Sequence, residues 1–157
     1  MSYAYNIYRD KLAKALADWT AGGLAVRVLL LSNAATYTPA ATHNFVSDVI
    51  AGSVAELAVT GYTRKDITSR TVFRDDTTPY VEMRANDNVW ASLAGSPGSG
   101  GQIQIQSAIV YVQVGGDDTT PGDDFLVAQI TAANFPLTCN GSPFTLSYPN
   151  GINRLTA

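Results

Sequence analysis

Residues 102–115, QIQIQSAIVYVQVG, constrain the fold of this chain more than any other segment. The segment begins as a strict alternation of polar and apolar residues and then becomes almost continuously apolar. Alternation with period two indicates a strand with one exposed face, and a continuous apolar run indicates a strand buried on both faces. Glycine-rich residues 96–101 precede it and the acidic turn 115–124 follows it, so turn-forming residues set both ends. The sequence therefore predicts a protein built around a sheet.

Further strands are expected where short apolar or alternating runs lie between turn-forming residues. These runs are residues 24–32, 55–59, 71–75, 80–85, 103–114, 124–130, 144–148 and 152–155. The pairs Asn140-Gly141 and Asn150-Gly151 close tight turns at low conformational cost, so they predict the bends of late hairpins. Each sheet must bury its apolar face against another layer. The sequence therefore predicts a mainly β fold, a two-layer antiparallel β-sandwich.

An amphipathic helix is expected at the start of the chain, where apolar residues recur at spacings of three and four. These residues are Tyr5, Tyr8, Leu12, Ala15 and Trp19. We expect this N-terminal helix to span residues 3–21, to end at Gly22-Gly23 and to pack on a sandwich of residues 24–157. Residues 45–51, FVSDVIA, are expected to form one or two helical turns. The length of 157 residues fits a single domain.

Composition narrows the classes of partner and cofactor. A net charge of -3 with only ten Lys and Arg argues against nucleic-acid binding, because such binding needs many cations on one surface. No run approaches the roughly 18 apolar residues that span a bilayer, so no membrane partner is expected. The charged start lacks the apolar core of a secretory signal, which favours a protein made in the cytoplasm. One cysteine, Cys139, and one histidine, His43, exclude an internal disulfide and a Cys/His metal site, and no cofactor is expected.

Candidates for catalysis are few. His43 is a possible general base, with Ser47 or Ser32 as the nucleophile, but a hydrolase also needs a group that orients the imidazole and donors for an oxyanion. No nucleophile-elbow pattern is present. Cys139 has no second cysteine or histidine near it in sequence to lower its pKa. We therefore expect a protein that is not an enzyme and has no catalytic residues.

The acidic turn offers several carboxylates in a short segment. Asp117, Asp118, Asp123 and Asp124 are hard oxygen ligands of the kind that calcium prefers. Their spacing does not match an EF-hand loop, which places ligands at alternating positions and closes with a glutamate. A solvated turn that keeps the end of a sheet soluble is the favoured interpretation, and no metal site is predicted.

A basic segment is the counterpart of the acidic turn. It contains Arg64, Lys65, Arg70 and Arg74. On paired strands these side chains would form a local positive surface, able to face the acidic turns of a neighbouring subunit. Solvated, dispersed charges are the alternative, because exposed ion pairs contribute only about 0–1 kcal/mol each. Our hypothesis is that residues 64–74 and 117–124 contact other protein chains.

The order of short motifs along the chain carries a resemblance. The motifs are Tyr37 to Pro39, then His43, Phe45 and Asp48 in a His-x-Phe-x-x-Asp pattern, then Gly61 to Thr63, and finally Asn150 to Leu155 in an Asn-Gly-Ile-x-x-Leu pattern. Together they resemble a group of small virion structural proteins of tailed bacteriophages, over nearly the whole chain after the first helix. The glycine-rich residues 96–104 and the polar turn 115–124 depart from the pattern of the group.

The resemblance implies a head or tail accessory protein without catalytic residues. A capsid decoration or cement protein is the first expectation, located in the virion and made in the host cytoplasm. Its partners would be the major capsid protein or other virion proteins, and it would form a homo-oligomer. His43, Phe45, Asp48, Tyr62 and Trp90 would be packing and turn residues.

Two alternatives stay open from the sequence. A neck, tail or fibre component would share the fold and differ in what it contacts. A carbohydrate-binding module for host attachment would present exposed aromatic rings, for which Tyr80, Trp90 and Tyr148 are the candidates. For Trp90, which lies beside Val89 and near Leu93, we favour a place in the core.

Overall fold

The computed structural model describes residues 2–4, 19, 24–51, 53–75, 77, 80–95, 103–149 and 151–156. Over these residues the chain is mainly β-strand with almost no helix, and its antiparallel sheets curl as a half-barrel. The strands are β1 Ser2–Ala4, β2 Val26–Ser32, β3 Lys65–Asp66, β4 Thr71–Asp75, β5 Tyr80–Arg84, β6 Asn88–Trp90, β7 Gln104–Val112, β8 Phe125–Ile130, β9 Leu137–Thr138, β10 Phe144–Leu146 and β11 Asn153–Thr156. A single turn of helix, α1, spans Val46–Val49. The predicted mainly β class is confirmed.

The largest sheet is built around β7, the strand that the sequence marked most clearly. Its strand order is β1-β8-β7-β2-β3, and β9 pairs with the start of β7. β2 pairs with β7 in an antiparallel register that places Val28 opposite Val110 and Leu30 opposite Ala108. β8 lies on the other side of β7 and is also antiparallel to it. The centre of the sheet therefore consists of three strands with long apolar runs.

Both faces of this sheet are buried. Neighbouring residues of a strand point to opposite faces, so each central strand contributes side chains to both of them. Val28, Leu30 and Val110 belong to the main core, whereas Leu29 and Ile109 belong to a second core on the other face. All five side chains are fully buried. Burial on both faces therefore explains the continuous apolar run in each strand, as the sequence predicted.

Different elements cover the two faces. The main core includes Trp90 and Phe144 from the β6–β10 pair and Met83 from the three-stranded sheet β11-β5-β4. The indole of Trp90 and the ring of Phe144 stack with centroids 5.6 Å apart. The second core is covered by Tyr37 and by α1, which buries Val46 and Val49. The prediction of helical turns within residues 45–51 is confirmed.

The turns at the two Asn-Gly pairs form, but they do not close hairpins. Gly141 and Gly151 have positive φ angles of 89° and 70°. The strands beside them pair elsewhere, since β9 pairs with β7, β10 with β6 and β11 with β5. The predicted late hairpins are therefore wrong. The predicted strand at residues 55–59 is also absent, and the segment instead contacts the edge of β2 through bonds such as Leu57 N–H to Leu30 C=O.

The predicted start of the N-terminal helix is wrong. Tyr3 and Ala4 lie in β1, where Tyr3 pairs with Gln129 and Ala4 with Ala128 of β8. Pairing with the edge of β8 satisfies backbone groups that the first turn of a helix would leave without partners. Positions 5–18 and 20–23 of the predicted helix and its end lie outside the described residues. Trp19 is buried in the main core.

Two glycines with similar backbone angles differ in their surroundings. Gly61 has φ +85°, and a Cβ atom there would lie 2.0 Å from the carbonyl oxygen of Ser92. Gly141 has φ +89°, and a Cβ atom there would meet nothing within 4 Å. Of these two positions, only Gly61 requires glycine for a second reason besides its positive φ angle. That reason is the close approach of the Ser92 backbone.

We expect Gly61→Ala to destabilise the protein more than Gly141→Ala. The second change carries only the left-handed backbone cost, roughly 1–2 kcal/mol, and the first adds the displacement of the Ser92 backbone, roughly 1–3 kcal/mol more. Urea unfolding of both variants measures the difference. Equal losses in the free energy of unfolding would contradict the packing at Gly61.

Candidate functional site

Asp118 joins the acidic turn to the basic segment within one chain. Its Oδ2 pairs with Nη1 of Arg27 on β2, and its Oδ1 lies 3.2 Å from Nη1 of Arg64. The same Oδ1 accepts hydrogen bonds from the Tyr111 hydroxyl at 2.7 Å and from the Gln113 amide at 2.9 Å. One carboxylate of the predicted acidic turn is thus held by four side chains of its own chain.

Glu56 holds Arg64 from the other side. Nε and Nη2 of Arg64 donate to the two carboxylate oxygens of Glu56 at 2.9 Å and 2.7 Å, a bidentate pair with fixed geometry. The guanidinium group also lies over the ring of Tyr111, 5.4 Å from its centroid. Only 10% of the Arg64 side chain is exposed. This arginine is therefore engaged inside the protein.

Arg27 lies at the centre of a row across the main sheet. It is opposite Tyr111 of β7 and Asp66 of β3, and its Nε is 2.9 Å from Oδ1 of Asp66. The alternation along β2 places Arg27 on the same face as Leu29, so the row continues the second core. We call Arg27, Glu56, Arg64, Tyr111 and Asp118 the charged cluster.

The pKa shifts in the charged cluster follow from burial and pairing. Burial alone would raise the pKa of Asp118, but hydrogen bonds from Tyr111 and Arg27, with the two arginine charges, lower that pKa below its ordinary value. Burial would lower the pKa of Arg64, but the pair with Glu56 raises it. The pKa of the Tyr111 hydroxyl is raised by burial and by its bond to Asp118. At neutral pH Asp118 and both arginines are therefore charged, and Tyr111 is neutral.

The other carboxylates of the acidic turn have different surroundings. Asp124 is fully buried, and its Oδ1 accepts the backbone N–H of Val114 at 2.8 Å. Its Oδ2 is buried without a hydrogen-bond partner in the described part of the chain, and burial raises the pKa of this carboxyl group. Asp117 is exposed and accepts bonds from the N–H and hydroxyl of Thr119, which lower its pKa. Asp123 is exposed to solvent.

The rest of the basic segment is spread over two strands and the connection between them. Lys65 lies on β3 opposite Val28 of β2, Arg70 donates to the backbone carbonyl of Leu24 at 3.2 Å, and Arg74 is exposed on β4. Of the eight predicted contact residues, the salt bridges within the described ranges join one pair, Arg64 and Asp118. That these eight residues contact other chains stays a prediction.

The structure offers no metal centre among the residues it describes. No group of three or more His, Cys, Asp and Glu side chains there is arranged to hold an ion. The two oxygens of Asp118 face arginines and hydrogen-bond donors of the charged cluster. In the same described ranges, no helix is long and apolar enough to cross a membrane.

The residues considered for catalysis are part of the structural framework. Nδ1 of His43 is 2.8 Å from the hydroxyl of Tyr37, and the two rings stack with centroids 5.5 Å apart. The Ser32 hydroxyl donates to the carbonyl of Ala55 at 3.1 Å, and the N–H of Ser47 donates to the carbonyl of Pro121 at 2.9 Å. Cys139 is buried, which raises the pKa of its thiol.

The motifs that carry the resemblance shape the backbone. Oδ2 of Asp48 accepts the N–H groups of Asn44 and Phe45 at 2.8 Å and 2.9 Å, which fixes the entry into α1. Val46 N–H then donates to the carbonyl of Asp124, so this entry is also joined to the start of β8. The predicted turn role of Asp48 is confirmed.

Residues 61–63 tie the main sheet to the β6–β10 pair. The Tyr62 hydroxyl accepts the N–H of Leu30 at 3.0 Å and donates to Glu56 at 2.7 Å. The carbonyl of Thr63 accepts the indole N–H of Trp90 at 2.8 Å. Tyr62 and Trp90 are packing residues, as the sequence predicted.

The aromatic side chains named for the carbohydrate-binding alternative do not form an exposed platform. Trp90 is 1% exposed and Tyr148 is 7% exposed, and Tyr148 donates to Asn88 at 2.6 Å. Tyr80 is half-buried, and its ring packs near Phe73 with centroids 6.2 Å apart. The place of Trp90 in the core is confirmed.

Sequence reasoning missed three members of the charged cluster: Arg27, Glu56 and Tyr111. Arg27 carried a usable signal, since a single charge inside the apolar run of residues 24–32 needs a partner when the strand is buried. Nothing in the spacing of Glu56 or Tyr111 identifies them as those partners.

Comparison with known proteins adds no relative. No protein-family model matches the chain, and no curated protein or solved structure matches it.

We expect Asp118→Asn to destabilise the protein by roughly 1–3 kcal/mol, because the change leaves Arg27 and Arg64 with less compensation. The expected loss of stability is smaller than for a fully buried ion pair, since 33% of the Asp118 side chain is exposed. Asp117→Asn is the matched control: it removes a solvent-exposed charge of the same turn and keeps the acceptor for Thr119. Urea unfolding of both variants at neutral pH makes the comparison, and equal effects would contradict the charged cluster.

The same variant has an expected pH dependence. The folded pKa of Asp118 is lowered from 3.8, so its contribution to stability is present above that pH and is lost as pH falls through the folded pKa. The difference between wild type and Asp118→Asn should therefore shrink as pH falls below about 4. A difference that stayed constant down to about pH 2 would show that the charge of Asp118 is not responsible.

Proposed function

We propose that this chain is a non-enzymatic structural component of a tailed-bacteriophage virion, and specifically a capsid decoration or cement protein. The proposal rests on the role that the motif residues have in the fold. Asp48, Gly61, Tyr62 and Thr63 serve backbone entry, close approach and inter-strand bonding. The resemblance to phage virion proteins therefore lies in residues that determine shape, which suits a protein whose role is to fit a lattice.

The exposed apolar residues support a docking role. Val72 and Phe73 on β4 and Val89 on β6 are exposed by 50%, 37% and 52%. Arg84 lies over the ring of Phe73, 3.8 Å from its centroid, so this apolar side chain is held in place beside a cation. Aromatic and arginine side chains are enriched at protein interfaces. The small sheets thus offer individual exposed side chains of a kind suited to contact with the major capsid protein or another virion protein.

A decoration protein acts by mass action. It binds the assembled shell and not the free subunits, and this differential binding shifts the equilibrium towards the shell. The proposal includes the two-layer sandwich predicted from the sequence, in which the sheets enclose the main core. It also includes the association of copies as a homo-oligomer. A neck, tail or fibre component is the alternative with the same fold, and it differs in its number of copies.

The first test is the copy number of the chain in purified virions. Quantitative mass spectrometry against the major capsid protein should give a number of copies comparable with that of the capsid protein. A number far below it would replace the decoration role with a neck, tail or fibre role. Absence from the virion would overturn the proposal.

Charge reversal tests the predicted contact surface. Arg64 and Asp118 are unsuitable because they pair inside the chain, so the exposed residues Arg74 and Asp123 are the informative ones. We expect Arg74→Glu and Asp123→Lys each to weaken binding through like-charge repulsion, either between copies of the protein or to virions that lack it. The double variant should recover part of this loss. Sedimentation analysis measures both kinds of binding. If both single variants bind as the wild type does, these residues are not in an interface.

A further inference from the structure

A cleft of about 410 Å³ lies between two segments that belong to different sheets. One wall is formed by residues 130–132, 134 and 135, which continue from the end of β8. The other wall is formed by residues 144–149, which include all of β10. The volume is within the range of about 300–1,000 Å³ that ligand sites occupy in proteins.

The β10 wall presents the edge of a strand and not one of its faces. Phe144, Thr145 and Leu146 all line the cleft, although neighbouring side chains of a strand point to opposite sides. A cavity in contact with successive residues of a strand runs along its edge. β10 pairs on one side with β6, and no described residue pairs with its other edge.

The chemistry of the lining is uncharged. None of the described lining residues is Asp, Glu, Lys, Arg or His. Phe135, Phe144 and Ile152 supply apolar surface, while Thr131, Asn134 and Thr145 supply hydroxyl and amide groups. Phe135 packs against Phe144 with ring centroids 6.2 Å apart, so the aromatic part of the cleft is ordered by contact with the main core.

We infer that this cleft binds an extended, uncharged protein segment that adds a strand to the edge of β10 with which no described residue pairs. The edge offers main-chain donors and acceptors to any extended segment, and the apolar surface near Phe135 accepts alternate side chains of that segment. A charged segment is disfavoured, because burial in an uncharged cleft removes water without supplying a counter-charge. The inference concerns a binding site of this chain and does not depend on a role in the virion.

Two neighbouring alanines provide a matched pair of variants. Ala132 lines the cleft, whereas Ala133 is exposed in the same turn and does not line it. Ala132→Trp should fill the cleft, and Ala133→Trp adds the same bulk outside it. Both positions are exposed, so neither change removes a packing contact of the core.

The probe is a display library of short peptides made only of Val, Thr, Ser, Leu, Ala and Phe. Peptides selected on the wild-type protein are synthesised, and their binding is followed by amide chemical shifts. We expect shifts at residues 130–135 and 144–148, at least about tenfold weaker binding to Ala132→Trp, and binding to Ala133→Trp within about twofold of wild type. N-methylation of alternate backbone amides in the peptide should also weaken binding at least about tenfold, since it removes strand-pairing donors.

Several outcomes would overturn the inference. One is a library that yields no peptide binding the wild type, and another is binding that responds equally to the two tryptophan variants. If peptide binding were unchanged by N-methylation of either alternating set of backbone amides, strand addition would be excluded. Glucose, galactose and N-acetylglucosamine, tested at about 10 mM, serve as the competing class: cleft shifts with a sugar and none with peptides would assign the site to a saccharide instead.

Discussion

The pairing of β2 with β7 is the constraint on which the rest of this structure depends. Seven residues of β2 lie along β7, and both strands bury both of their faces. A sheet in that position needs cover on each side, because apolar surface on either face would otherwise remain in water. The small sheets with Trp90 cover one face, and α1 with Tyr37 covers the other. The placement of these elements follows from the central pair.

The charged cluster is a consequence of the same arrangement. The second core does not extend along the whole of its face, and Arg27 stands where the apolar row of β2 ends. A cation in that half-buried position requires compensation, which Asp66 and Asp118 provide, while Glu56 compensates the neighbouring Arg64. The acidic turn therefore has two parts. Asp118 and the fully buried Asp124 face inward, while Asp117 and Asp123 are exposed to solvent.

The proposed decoration role and the proposed strand-addition cleft use separate parts of the molecule. Val72, Phe73 and Arg74 lie on β4, in the three-stranded sheet, whereas the cleft lies along β10. β4 and β10 are both terminal strands in their sheets over the described residues. Such edges are where β-rich proteins associate, because they carry backbone groups that still have pairing capacity. A structural protein with several partners would need more than one such edge.

Local pattern alone was enough to predict the three central strands β2, β7 and β8, the turns at Gly141 and Gly151, the helical turn after Phe45 and the burial of Trp90. Each of these depends on side-chain alternation, backbone freedom or residue size, which are properties of a short segment. Only the tertiary structure decided that β1 is a strand, that β10 and β11 avoid hairpin pairing, and that Arg64 and Asp118 meet each other. Strand partners and ion pairs join residues far apart in the chain, and a single sequence carries no record of which distant edges will be brought together.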